Sequence, residues 1–162
     1  MILDAQAYRL IGFTLAFALV LRLLALPQPL VLLNPDWVLL VLIYWCLTFP
    51  ERFGIGLAWL TGLWVDAATG PLLGQHALIY ALVAYCCVRF HTRLRVFPLG
   101  QQLPLILLFL LGAQLLLFCL EALRGRPLLL WSYWLPCLTG TLAWPLVLAG
   151  CGFLKRRHLP TI

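Results

Sequence analysis

Residues 34–77, NPDWVLLVLIYWCLTFPERFGIGLAWLTGLWVDAATGPLLGQHA, decide how this chain is read. They hold two short apolar segments, 37–49 and 54–69, joined by the charged turn Pro50-Glu51-Arg52. The first rises roughly 20 Å at 1.5 Å per residue, short of a bilayer core of about 30 Å. Adding residues 30–33 restores the length only by placing Asn34, Pro35 and Asp36 at membrane depth. A helix that starts at Trp37, with Pro35 and Asp36 in its first turn, avoids that cost. Proline has no N–H to leave unsatisfied there, and a carboxylate complements the positive helix end. The two segments then form a short helical hairpin, with Trp37 anchored at the membrane interface.

Composition sets the class. Of 162 residues, 64% are hydrophobic and only 10% charged, where soluble domains carry about 25%. The mean hydropathy is +1.03. In hydrocarbon every backbone amide must be satisfied within the segment, and these apolar runs are too long for the alternating strands of a barrel. The expectation is an all-α, polytopic membrane protein made of one integral membrane domain, residues 1–162. The net charge of +6 comes from 11 basic residues scattered in small groups between apolar runs, so nucleic acid is not expected as a partner. Those residues read as topology signals. The first apolar run lacks a basic leader and a small-residue cleavage site, so it is expected to be retained as a helix.

Going outward from the hairpin, six spans are expected: 8–26, 37–49, 54–69, 72–88, 103–123 and 131–153. Pro27 and Pro29 stop the first, Gly70-Pro71 turns the third into the fourth, and Pro104 opens the fifth. Arg22, in the last turn of the first run, is expected to snorkel to the headgroups rather than pair with an acidic neighbour. Arg9, Arg52, Arg89, Arg93, Arg95, Lys155, Arg156 and Arg157 fall on one side of this layout, against Arg124 and Arg126 on the other. Both termini are therefore expected in the cytoplasm. Six cysteines all fall inside apolar runs without metal-ligand spacing, and are expected to be small buried thiols.

Specific chemistry is sparse. Gly54, Ala58, Gly62, Asp66 and Gly70 recur every fourth residue, a small-residue ridge that lets another helix approach closely. That helix belongs either to a partner or to this chain. The acidic groups Asp36, Asp66 and Glu121 map to the outer half, where an acidic residue at membrane depth marks a functional position by default. Asp66 and His76 are placed to meet across a short turn as a polar pair. A proton relay would need more titratable groups than Thr61, Thr48 and Tyr44 supply. On the pair reading, Asp66→Asn should leave folding intact. No phosphate loop, zinc-protease helix, nucleophile elbow or carboxylate pair with a nearby base occurs, so no enzyme, cofactor or metal is expected.

The order Asn34-Pro35-Asp36-Trp37-Val38-Leu39-Leu40, Tyr44-Trp45, Pro50-Glu51-Arg52, Gly54, Gly56, Gly62, Asp66, Gly70 and Leu73-Gly74 resembles the signature of the bacterial rod shape-determining MreD family. Thr139-Gly140-Thr141-Leu142-Ala143-Trp144-Pro145, followed by Lys155-Arg156-Arg157, is similar to that family's last helix and tail. The likeness covers nearly the whole chain, although Asn34 stands where the family often has arginine. It implies a non-catalytic component of the cell-elongation machinery in the bacterial inner membrane. The implied partners are MreC, MreB, RodA and a class B penicillin-binding transpeptidase, together with membrane lipids. The implied fold is similar to the substrate-binding components of energy-coupling-factor vitamin transporters.

Two functions follow. In the first, a scaffold docks the helices of MreC or a synthase on Pro35, Asp36 and Trp37 or on Gly54, Ala58, Gly62, Asp66, Gly70 and Gly74, so that Gly62→Leu weakens the complex. In the second, Asp36, Asp66, His76 and Glu121 converge in a pocket for a small molecule or a lipid.

Overall fold

The computed structural model describes residues 2–24, 27, 33–70, 73–94, 96–125 and 131–158. These form six α-helices: α1 (Ile2–Leu23), α2 (Trp37–Thr48), α3 (Ile55–Thr69), α4 (Gln75–Leu94), α5 (Leu99–Leu123) and α6 (Leu135–His158). A 3-10 turn, Trp131–Trp134, leads into α6.

The short helix α2 is the axis of the bundle. It is apolar on every side, and a helix of that kind is stable only when enclosed. Every residue from Val38 to Leu47 is buried, with α1, α4 and α6 packed around it. Enclosure also resolves the length problem of the 12-residue helix, because its ends meet protein rather than lipid. Asp36 caps the start by accepting from the Leu39 amide at 3.1 Å, and the Phe49 amide donates to the Trp45 carbonyl at 2.8 Å at the end. Asp36 is therefore the cap itself, and neither it nor Pro35 lies within the first turn. Trp45 is fully buried and its indole N–H donates to Thr14 of α1 at 2.9 Å, so a large aromatic enters the core without an orphaned donor.

Helix α3 lies against α4, and Gly62 sits directly against the α4 backbone. A Cβ there would fall 2.3 Å from the Ala77 Cα, so no side chain fits. Gly70 closes α3 in the left-handed conformation, φ 75°, which a glycine adopts without a Cβ clash. Helix α5 packs on α4 and α6. Large apolar side chains point outward from α1 (Phe13, Phe17), α3 (Trp59, Trp64), α5 (Leu108, Leu115) and α6 (Leu142, Leu146), as lipid-facing surfaces require. Among the described residues, three segments are long and apolar enough to cross a membrane: Ala5–Leu23, Leu99–Leu123 and Trp131–His158.

Consecutive helices run in opposite directions, which sorts the charges. Arg22, Asp36, Asp66, His76 and Glu121 gather at one end. At the other, the Lys155 ammonium and the Arg52 guanidinium stand 4.8 and 5.4 Å from the Phe49 ring, beside the basic close of α6.

The hairpin boundaries agree with expectation to about a residue, but the outer helices differ. Helix α1 starts at Ile2 rather than residue 8, α4 runs on to Leu94, and α6 continues to His158. Hydropathy marks the part of a helix in lipid, whereas backbone hydrogen bonding continues through a polar last turn. Helix α5 begins at Leu99, capped by Pro98, so Pro104 falls in its second turn instead of its first. The 3-10 turn displaces the start of α6 from 131 to 135. Cys119 faces outward, unlike the buried Cys46, Cys87, Cys137 and Cys151. Expectations for Pro29, residues 30–32, Pro71, Leu72, Arg95 and Arg126 lie outside the described residues.

Candidate functional site: a buried ion-pair network beside a polar cleft

Asp66 lies one turn before the end of α3, and its carboxylate reaches the first turn of α4. Oδ2 accepts from the backbone amides of Gly74 at 2.8 Å and Ala77 at 3.3 Å. Oδ1 accepts from the His76 amide at 3.0 Å and from the His76 ring Nδ1 at 2.7 Å. The first amides of a helix have no partner within it, and the positive end of its dipole favours an anion. Asp66 thus caps α4 from the neighbouring helix. At 1% exposure it carries a charge that these four donors must stabilise. The expected pair with His76 is present; an asparagine amide nitrogen at this position would face N–H donors on either side, so Asp66→Asn is predicted to lose stability rather than leave folding unaffected.

The network continues from His76. Its Nε2 lies 2.8 Å from Arg22 Nη2. A guanidinium only donates, so Nε2 accepts and the ring proton is assigned to Nδ1, toward Asp66; the imidazole is neutral. Arg22 Nη1 pairs with Asp36 Oδ2 at 2.5 Å and donates to the Tyr80 hydroxyl at 3.0 Å. That hydroxyl donates in turn to the Asp36 carboxylate, at 2.8 and 2.9 Å from its two oxygens. Arg22 therefore pairs instead of snorkelling. The reason is electrostatic: with side chains only 19% and 21% exposed, neither Arg22 nor Asp36 is well solvated, and an unpaired charge costs several kcal/mol. Asn34 joins the two helices, donating to the Arg22 carbonyl at 3.3 Å and accepting from the Trp37 indole at 2.9 Å.

A cleft of about 460 Å³ opens beside the network, lined by Arg22, Asp36, Gln75, His76, Gln114 and Glu121 among others. Gln75 donates to Glu121 at 3.2 Å, and Glu121 pairs with Arg124 at 2.8 Å. Of the four residues expected to converge, Asp36, His76 and Glu121 line the cleft. Asp66 does not, because it faces the α4 terminus behind His76.

The small-residue ridge divides by position. Ala58, Gly62 and Asp66 are buried, with Gly62 and Asp66 directly against α4 of this same chain. Gly54 caps α3 and Gly70 ends it, each with open space where a Cβ would be. Gly74 turns the chain into α4 at φ 103°. Pro35 packs against Gly140 of α6, where an added Cβ would lie 3.4 Å from the proline Cβ. Thr61 bonds back to the Leu57 carbonyl and adds nothing to a relay. Among the described residues no three metal-ligating side chains cluster. The arrangement holds charge in place and offers polar groups to a cleft. Tyr80 and Gln75 carry no signal in the sequence, whereas Arg22 stands out there as a cation inside an apolar helix.

The family profile described as rod shape-determining protein MreD matches residues 4–154. The chain belongs to the MreD family. The rod shape-determining protein MreD of Haemophilus influenzae is 35% identical to it over 135 residues, covering 83% of this chain and 82% of that relative. No solved structure matches the chain. The family match spans both the α2–α3 hairpin and the network, so this member's role in rod shape determination is to be sought in a helical membrane bundle.

Proposed function

We propose that this MreD family member is a non-catalytic scaffold of the cell-elongation complex. On this reading it crosses the bacterial inner membrane six times with both termini in the cytoplasm, and supports lateral peptidoglycan synthesis by holding MreC. MreB, RodA and a class B penicillin-binding transpeptidase are its further partners, and its layout is similar to that of the vitamin-transporter components. Six antiparallel helices with their basic ends together support the topology. The observation that carries the docking reading is that α4 already occupies the Gly62 face, which turns attention to faces still open to lipid. An apolar groove of about 190 Å³ lies between α1, α2 and α6, lined by Phe17, Leu21, Leu146 and Gly150. A Cβ on Gly150 would meet nothing within 4 Å. Close backbone approach at small residues drives helix association in lipid, so this groove takes the MreC transmembrane helix.

Copurification of MreC with a Gly150→Leu variant tests it. The variant should fold normally and lose most of the MreC retained by the native chain. Full retention would overturn the assignment of this groove.

A further inference from the structure

The cleft beside the network has an acceptor that the fold does not use. Gln75 is 5% exposed, and its Oε1 has no hydrogen-bond partner among the described residues. Its orientation is set by chemistry: Nε2 donates to Glu121 Oε1, so the carbonyl oxygen is the end left over. A buried acceptor left unpaired is destabilising unless something donates to it. Glu121 Oε1 also accepts from Arg124, and its second oxygen has no donor among the described residues. Gln114, on the same cleft, is fixed by donation of its Nε2 to the Tyr133 carbonyl at 2.9 Å, so its oxygen is an acceptor too.

Charge points the same way. In the cleft's own lining, among the described residues, the Asp36 and Glu121 carboxylates stand against the single cation Arg22, an excess of one negative charge, with Arg124 outside the lining and paired with Glu121 Oε1. Leu117, Pro35 and Pro136 supply an apolar wall. The complement of such a surface is a single positive charge with several N–H donors on a short alkyl stem.

We propose that this cleft binds a primary ammonium group, with Gln75 Oε1 and the Glu121 carboxylate as its acceptors. An ethanolamine lipid headgroup and a free alkylamine share that chemistry. A trimethylammonium has the charge but no N–H, and a glycerol headgroup has hydroxyl donors but no positive charge. The site is independent of where MreC docks.

Native mass spectrometry of the full chain in detergent, titrated with dioleoyl phosphatidylethanolamine, phosphatidylcholine or phosphatidylglycerol, tests it without any mutation. Ethanolamine lipid should be retained about tenfold more tightly than the other two, the difference expected for loss of charge-assisted hydrogen bonds. Gln75→Met, which keeps side-chain length, should remove most of that preference, as should Glu121→Gln. Displacement of the lipid by millimolar free ethanolamine supports the ammonium site. Binding of free ethanolamine without the lipid assigns the same site to a soluble amine. Equal retention of the three lipids with no ethanolamine binding would overturn the proposal. So would an ethanolamine preference that persists in both folded variants. If Gln75→Met does not fold, the lipid series on the native chain and Glu121→Gln still decide.

Discussion

Replacing Asp66 with asparagine preserves its shape and removes its charge, and the structure makes the outcome calculable. Both carboxylate oxygens accept from two N–H groups each. If the new amide nitrogen takes the Oδ2 position, it faces the Gly74 and Ala77 backbone amides, neither of which can become an acceptor. If it takes the Oδ1 position, the His76 ring can shift its proton to Nε2 and accept through Nδ1. That proton would then meet Arg22 Nη2, 2.8 Å away and already a donor. Either orientation loses two hydrogen bonds to a charged acceptor, each worth about 1.5–3 kcal/mol, along with the anion at the α4 N-terminus. Relaxation offsets part of this, leaving a destabilisation of about 3–4 kcal/mol. For a chain of this size that corresponds to a drop of roughly 10 °C in Tm. Thermal unfolding of the detergent-purified variant, followed by tryptophan fluorescence, measures it. A Tm within about 2 °C of the native value would refute the view that Asp66 caps α4.

Three other perturbations follow from the same contacts. Arg22→Ala leaves Asp36 poorly solvated and unpaired, so it should destabilise by about 3–5 kcal/mol, and adding Asp36→Asn should restore part of the loss in the same unfolding assay. Gly62→Leu forces a side chain into the Ala77 backbone and should prevent α3 from seating on α4, seen as loss of the monodisperse peak in size-exclusion chromatography; loss of MreC in that variant reports the chain's own fold rather than a docking face. Cys119 should react quickly with a membrane-permeant maleimide in the folded protein while the fully buried Cys46 and Cys87 react only after unfolding, as read by mass of the labelled peptides.

Much of the bundle is legible along the chain because lipid imposes one rule on every segment. The α2–α3 hairpin follows from Pro35, Asp36, the Pro50–Arg52 turn and Gly70, all local signals whose effect does not depend on distant residues. Outer helix ends are less legible. The extension of α4 to Leu94 and of α6 to His158 rests on backbone hydrogen bonds that polar side chains neither break nor announce. The cleft is partly legible: Asp36, His76 and Glu121 stand out as rare polar residues, but Gln75 reads as an ordinary helix-start residue until its oxygen is seen buried.

Composition and order by themselves determined a helical membrane protein, its hairpin, the Asp66–His76 pair and a family resemblance, since each depends on residue type at short spacing. Only the tertiary structure decided that α2 is the enclosed axis, because a uniformly apolar helix has no face that its sequence could single out. It also decided that Arg22 turns inward to Asp36. A lone arginine in the last turn of a helix satisfies the headgroup and the buried carboxylate equally well on paper. The choice is made by α2 and α4, which bring Asp36 and Tyr80 within reach and remove the water that would have drawn the guanidinium outward. In the same way the Gly62 ridge reads as a docking surface for any helix, and packing gave it to α4.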